Sequence, residues 1–136
     1  MFEGLKHIEL SGEKFPIKCD LLVLEKIQDE YGNLTEFENQ LTGFVVSKDK
    51  DGEPKRNDDG KLLGIYEQPK ISVVNKALCW MVKEGLEIEA EQKKDKVREI
   101  SDKELLRKVD MNPSQLGRKL HEEFIRCFAV KNEQTT

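Results

Sequence analysis

Pro69-Lys70-Ile71-Ser72-Val73-Val74-Asn75-Lys76-Ala77-Leu78-Cys79-Trp80-Met81-Val82-Lys83-Glu84-Gly85 is the stretch that decides the fold class. Ile71, Val74, Leu78 and Met81 recur at three- and four-residue spacing, the signature of one helix face. Ala77, Trp80 and Val82 widen that stripe, so the helix has apolar surface to bury on more than one side. Pro69 stands at its opening and Gly85 near its expected end. A core built on such a helix is mostly helical.

Toward the N-terminus the period changes to two. Ile8 and Leu10 alternate with His7 and Glu9, then Phe15, Ile17 and Cys19 alternate with Pro16 and Lys18. Ser11-Gly12-Glu13-Lys14 between them forms turns readily, so residues 5–19 read as a β-hairpin. Pro16 has no N–H to donate, which places its strand at a sheet edge. Asp20 then caps a helix carrying Leu21, Leu24, Ile27 and Tyr31, and Gly32 ends it. A short helix is expected over 35–41, with Thr35 as cap and Glu38 closing a capping box. Phe44-Val45-Val46 is a strand, and 62–66 is its return.

Toward the C-terminus, Ser101 and Glu104 form a capping box that starts a short helix running through Val109. Asn112 followed by Pro113 marks the start of the last helix. Its apolar face holds Leu116, Leu120, Phe124, Cys127 and Phe128. The tail 131–136 is polar and reads as frayed. No internal repeat is evident.

The chain has 136 residues, 37% of them hydrophobic and 37% charged. That length makes one domain with one core. Residues 1–68 carry 9 basic and 15 acidic groups, and residues 69–136 carry 14 and 12, giving a net −4 overall. An acidic first half repels nucleic acid, which argues against it as a partner. No run approaches the ~18 apolar residues of a membrane-spanning helix, and the start has no basic, then apolar, leader pattern. Two stretches concentrate the charge: ten charged residues in 47–61 and twelve in 87–104. The first reads as a solvated loop or hairpin tip, and 87–100 as a charged, solvent-facing connection that is at most partly helical.

Asp49-x-Asp51-x-Glu53 resembles the start of a calcium loop, but the sixth and twelfth positions are Pro54 and Gly60 instead of glycine and glutamate. Cys19, Cys79 and Cys127 are scattered, His7 and His121 lack zinc-ligand spacing, and buried thiols in a reducing compartment are the simplest reading. No nucleophile elbow, phosphate-cradling glycine loop or H-E-x-x-H run occurs. The expectation is a non-enzyme with no catalytic residues, no cofactor and no metal.

Two constellations point to binding. Residues 103–120 read as a helix-turn-helix, with a turn at Asp110-Met111-Asn112 and Gln115, Arg118 and Lys119 on the second helix as the DNA-binding candidates. Against it stand Asp110 where glycine is often useful, Glu122 and Glu123 just beyond, and an apolar stripe longer than a reading helix needs. Trp80, Phe124 and Phe128 lie on the two longest helices. They either fill the core or share an exposed groove for an amphipathic partner helix, which makes them the partner-binding candidates.

The order and spacing of these pieces resemble a family. They are Phe15-Pro16-Ile17-Lys18-Cys19-Asp20-Leu21 after the Gly12 turn, the helix from Leu24 to Gly32, Leu34-x-x-Phe37, Pro69-Lys70-Ile71-Ser72 leading to Glu84-Gly85-Leu86-Glu87-Ile88-Glu89, and His121-Glu122-Glu123-Phe124-Ile125-Arg126-Cys127-Phe128. Together they resemble the tail assembly chaperones, or closely related minor tail proteins, of long-tailed bacteriophages and prophages of Gram-positive bacteria. The resemblance spans about residues 5–130. It implies a non-catalytic role in the host cytoplasm during phage assembly: binding the tape measure protein and helping tail tube subunits polymerise around it. It also implies a longer, frameshifted product of which this chain would be the shorter form. It carries over no individual site residue.

The expectation is thus a single α+β domain over 1–136. A small antiparallel sheet packs with four or five helices around Ile17, Leu24, Ile27, Val74, Leu78, Met81, Leu120, Phe124 and Phe128. The function expected is tail morphogenesis, with a DNA-binding regulator and a structural minor tail component as alternatives. No sustained heptad fixes an oligomeric state.

Overall fold

The computed structural model of the chain describes residues 5–129. Its elements run β1 (Lys6–Leu10), β2 (Glu13–Ile17), α1 (Leu21–Tyr31), α2 (Leu34–Thr42), β3 (Phe44–Val46), β4 (Gly64–Tyr66), α3 (Ile71–Lys93), α4 (Asp102–Arg107) and α5 (Pro113–Arg126). The class is α+β and mostly helical. The strands form two separate two-stranded antiparallel sheets, β1–β2 and β3–β4, where a single small sheet was expected. The first ladder pairs Ile8 with Phe15, and the second pairs Val45 with Ile65.

The β1–β2 turn has two residues, Ser11 and Gly12, both at positive φ. This sign pattern belongs to the hairpin turns whose twist matches that of the strands. The hairpin lies on α3 through β2. There the Lys18 N–H donates to the Met81 carbonyl at 3.0 Å. So close an approach of backbones needs a residue without a side chain on the helix. Gly85 supplies it, because the Pro16 carbonyl carbon lies 2.6 Å from where a Gly85 Cβ would sit. Pro16 is buried for the same reason.

Gly85 therefore sits inside the helix and does not end it. The helix continues eight residues further, to Lys93, so the first part of the expected connection 87–100 is helical. Met81, Val82, Gly85, Leu86 and Ala90 keep one buried face across that charged stretch, while Glu87, Glu91 and Lys93 take the outer face.

Helix α2 begins one residue earlier than expected. Asn33, not Thr35, is its cap and accepts from the Glu36 N–H at 2.7 Å. The Asp20, Ser101 and Asn112 caps stand as expected, and Gln115 completes a second capping box at Asn112. Helix α4 stops at Arg107, short of Val109.

The core joins Phe15 and Ile17 of the hairpin, Ile27 of α1, Phe37 and Leu41 of α2, Leu78 and Met81 of α3, Leu105 of α4 and Leu120 and Phe124 of α5. Phe128 is corrected out of it: it is 48% exposed, one residue beyond the Cys127 cap of α5, with its ring against that of Phe124. The expected tail 131–136 lies outside the described residues.

Residues 48–61 are exposed, and hydrogen bonds within the segment shape its turns. Asp49 Oδ1 accepts from the N–H groups of Asp51 and Glu53, and Asn57 Oδ1 accepts from those of Asp59 and Lys61. In each turn the backbones pair in the same way, Asp49 with Glu53 and Asn57 with Lys61, with Gly52 and Gly60 at positive φ. The two turns are an eight-residue repeat, Asp-Lys-Asp-Gly-Glu followed by Asn-Asp-Asp-Gly-Lys, which the sequence reading missed. At their roots three N–H groups donate in a ring: Ser47 to Leu63, Leu63 to Lys55, and Lys55 to Ser47, at 2.8–2.9 Å. Three β-arms meet there: residues 47–55, residues 55–63, and the β3–β4 ribbon that leads back to the body.

Candidate partner-binding surface

Trp80, Phe124 and Phe128 are linked by an aromatic chain, yet they do not share a groove. Trp80 meets Tyr31 edge-on at 6.3 Å, Tyr31 meets Phe37 at 5.5 Å, Phe37 meets Phe124 at 5.3 Å, and Phe124 meets Phe128 at 5.2 Å. Phe124, 3% exposed, is a core residue. Trp80 is half-buried, and Phe128 is exposed. Core filling, the first of the two readings, holds for Phe124, and the aromatic row reaches the surface at Phe128.

That exposed end has company. Ile125 and Phe128, at the last turn of α5, are exposed, as are Leu21 and Leu22 on the first turn of α1. The two helix ends come together at the junction of β2 and α1. Glu123, buried on α5, accepts from the Cys19 N–H at 3.0 Å and pairs with Arg126 at 3.0 Å. The Cys19 and Cys127 thiols lie within hydrogen-bonding reach of each other. A carboxylate taken out of water needs such partners, because an unpaired one is costly. The sequence hides this anchor, since Glu123 reads as one of two solvent-facing glutamates.

Burial pushes the Cys19 thiol far above the usual thiol range, with the Cys127 thiol adding to it, and pushes Cys79 up to about 12. The Cys127 thiol is raised less, again chiefly by burial. Beside this junction Glu84 of α3 hydrogen-bonds the Asp20 carboxyl. That bond, with burial and the charges of Asp20 and Glu87, raises Glu84 to about 7.

The DNA-binding candidates are exposed on α5, but their setting does not suit a reading helix. The Gln115 side chain is turned back to accept from the Asn112 N–H at 3.2 Å. The turn before α5 is held by the hairpin: Asp110 accepts from the Ser11 N–H at 3.1 Å, and the Ser11 hydroxyl donates to the Lys108 carbonyl at 2.6 Å. Lys119 borders a cleft of about 580 Å³ whose walls carry Glu9, Glu122 and Glu123 beside Lys6, Lys14 and Arg126.

A second exposed apolar surface was not anticipated. Val45, Leu63 and Ile65 are all exposed on the β3–β4 ribbon, and Ile65 is 58% exposed. The ladder pairs Val45 with Ile65 and continues through Ser47 and Leu63, so the three aliphatic side chains share one face. Phe44 and Tyr66 meet at a tilt on the other face, with ring centroids 5.3 Å apart and the Phe44 ring laid against Gly64. The signal was present in the sequence. Apolar residues fill both parities of Phe44-Val45-Val46 and Leu62-Leu63-Gly64-Ile65-Tyr66, whereas a half-solvated ribbon needs only one.

The Asp49 carboxylate, once weighed as a calcium ligand, is engaged by its own loop N–H groups. Among the described residues no three His, Cys, Asp or Glu side chains are grouped to hold a metal ion, and no helix is long and apolar enough to cross a membrane. No family model, curated protein or solved structure matches the chain.

Proposed function

We propose that this chain is a non-enzymatic tail morphogenesis protein, a tail assembly chaperone that binds the tape measure protein in the host cytoplasm. The observation that carries the reading is the exposure of large apolar side chains at two helix ends, Leu21 and Leu22 at the start of α1 and Ile125 and Phe128 at the end of α5. On a chain that is 37% charged, such exposed apolar side chains are candidates for contact with another protein. A long, helical, hydrophobic partner, such as the family resemblance implies, supplies complementary side chains, and the charged exterior keeps the complex in solution.

Co-purification with the neighbouring tape measure protein tests the reading. Retention of that protein by the wild-type chain, lost in Phe128→Ser with Leu22→Ser, supports it. Finding the chain in purified virions instead assigns it to the structural minor tail components. Salt-sensitive gel shifts that vanish in Arg118→Ala would favour the DNA-binding regulator.

A further inference from the structure

The geometry points to an oxidation site at the Cys19–Cys127 thiol pair: a hydroperoxide joins the two sulfurs into a disulfide that latches the end of α5 to the junction of β2 and α1. The site is independent of the tail morphogenesis reading and uses other residues.

Two contacts hold the pair together. Glu123 on α5 accepts from the Cys19 N–H at 3.0 Å. Cys127 lies four residues beyond Glu123 and keeps helical backbone, φ −61° and ψ −29°, so both side chains leave α5 on the same face. Cys19 is thereby set beside the last turn of α5, where its thiol hydrogen-bonds that of Cys127. The third thiol is placed differently: Cys79, on α3, hydrogen-bonds the Asp102 carboxyl. Nothing stands between two hydrogen-bonded sulfurs. They need only close to about 2.05 Å, and Cys127 lies at a helix end, where the backbone yields most readily.

The two sulfurs differ in the way the chemistry needs. Cys19 is 1% exposed, whereas Cys127 is half-buried, so an oxidant reaches Cys127 first. Burial raises the Cys127 thiol, but the hydrogen bond from Cys19 and the charge of Lys18 pull it back. The Cys127 thiolate is the attacking form. It takes one oxygen of the hydroperoxide, the O–O bond breaks, and the other oxygen leaves as an alcohol, or as water from hydrogen peroxide. Cys127 is then a sulfenic acid. The Cys19 sulfur attacks the Cys127 sulfur, and the departing hydroxide takes the Cys19 proton to become water. Two thiols lose two electrons and two protons, and the hydroperoxide accepts both. The bond closes the chain from residue 19 to residue 127, a long loop whose closure constrains the unfolded state.

Treating the full chain with hydrogen peroxide, alkylating the remaining thiols after unfolding and mapping tryptic peptides without reductant tests this. The expected product is a single chain in which peptide 19–26 is joined to peptide 127–131, with Cys79 alkylated. It melts at a higher temperature than the reduced chain, and dithiothreitol reverses both changes. Cys127→Ala prevents the link, and Cys79→Ala leaves it in place. The mapping is read on the wild-type chain, so it stands whether or not the variants fold. Cys127 held as sulfenic or sulfinic acid while Cys19 is still alkylated overturns the proposal. So does a disulfide between two chains, a chain that peroxide leaves unchanged, or a linked chain that melts no higher than the reduced one.

Discussion

Pro16 and Gly85 meet backbone to backbone. The Pro16 carbonyl carbon lies 2.6 Å from where a Gly85 Cβ would be, and the Ile17 nitrogen lies 2.9 Å from that point. This contact seats the hairpin on the longest helix and fixes which face of α3 is interior. Helix propensity alone predicts that Gly85→Ala stabilises by about 1 kcal/mol. The contact predicts the opposite sign, because neither backbone can yield cheaply. Urea unfolding of Gly85→Ala is expected to show a loss of about 2–3 kcal/mol, and a gain in stability would contradict the seating described.

Glu123 ties α5 to the start of α1 through the Cys19 N–H and Arg126. Glu123→Ala leaves the buried Cys19 N–H without its acceptor, so a loss of about 1–3 kcal/mol is expected. Arg126→Ala exposes the same coupling from the other side. The double variant should lose less than the two single variants summed, which a double-mutant cycle measures directly.

Glu84 gives the stability a pH dependence of known sign. Its ordinary value is 4.5, and the hydrogen bond to Asp20, aided by burial, raises it to about 7 in the folded chain. Between those values the folded state holds more protons than the unfolded one. The contribution is complete below about 4.5 and is lost as the pH rises through about 7. The melting temperature of the wild type should therefore fall between pH 5 and 8 more than that of Glu84→Gln. Glu13 acts in a different window. Arg98 and Lys108 hold its carboxyl below the usual range, so its contribution fades only in stronger acid.

The three thiols should differ in reactivity. Cys19 and Cys79 are buried and their thiols are pushed up, while Cys127 is partly accessible. The thiolate is the reactive form. Alkylation of the native protein, followed by peptide mass mapping, should label Cys127 first and leave Cys19 and Cys79 for the unfolded chain. Early labelling of Cys19 would contradict the packing at the junction of β2, α1 and α5.

Local signals made most of the fold legible. Asp20, Ser101 and Asn112 each announced a helix start, because a side chain that accepts from the third following N–H works within one turn. The end of α3 was misread because Gly85 looks like a stop, while its actual reason is Pro16, 69 residues away in sequence. Phe128 was misplaced because periodicity cannot show where a helix runs past the body. The same limit hid the buried role of Glu123. The eight-residue repeat escaped notice because it lives in turn geometry, with Asp49 and Asn57 playing one part through different side chains.

The most direct test of the chaperone reading is the soluble fraction of the neighbouring tape measure protein when it is expressed with and without this chain. The account predicts a clear rise with the wild-type chain and little or none with Phe128→Ser and Leu22→Ser combined. An unchanged soluble fraction, with no co-purification, would contradict it.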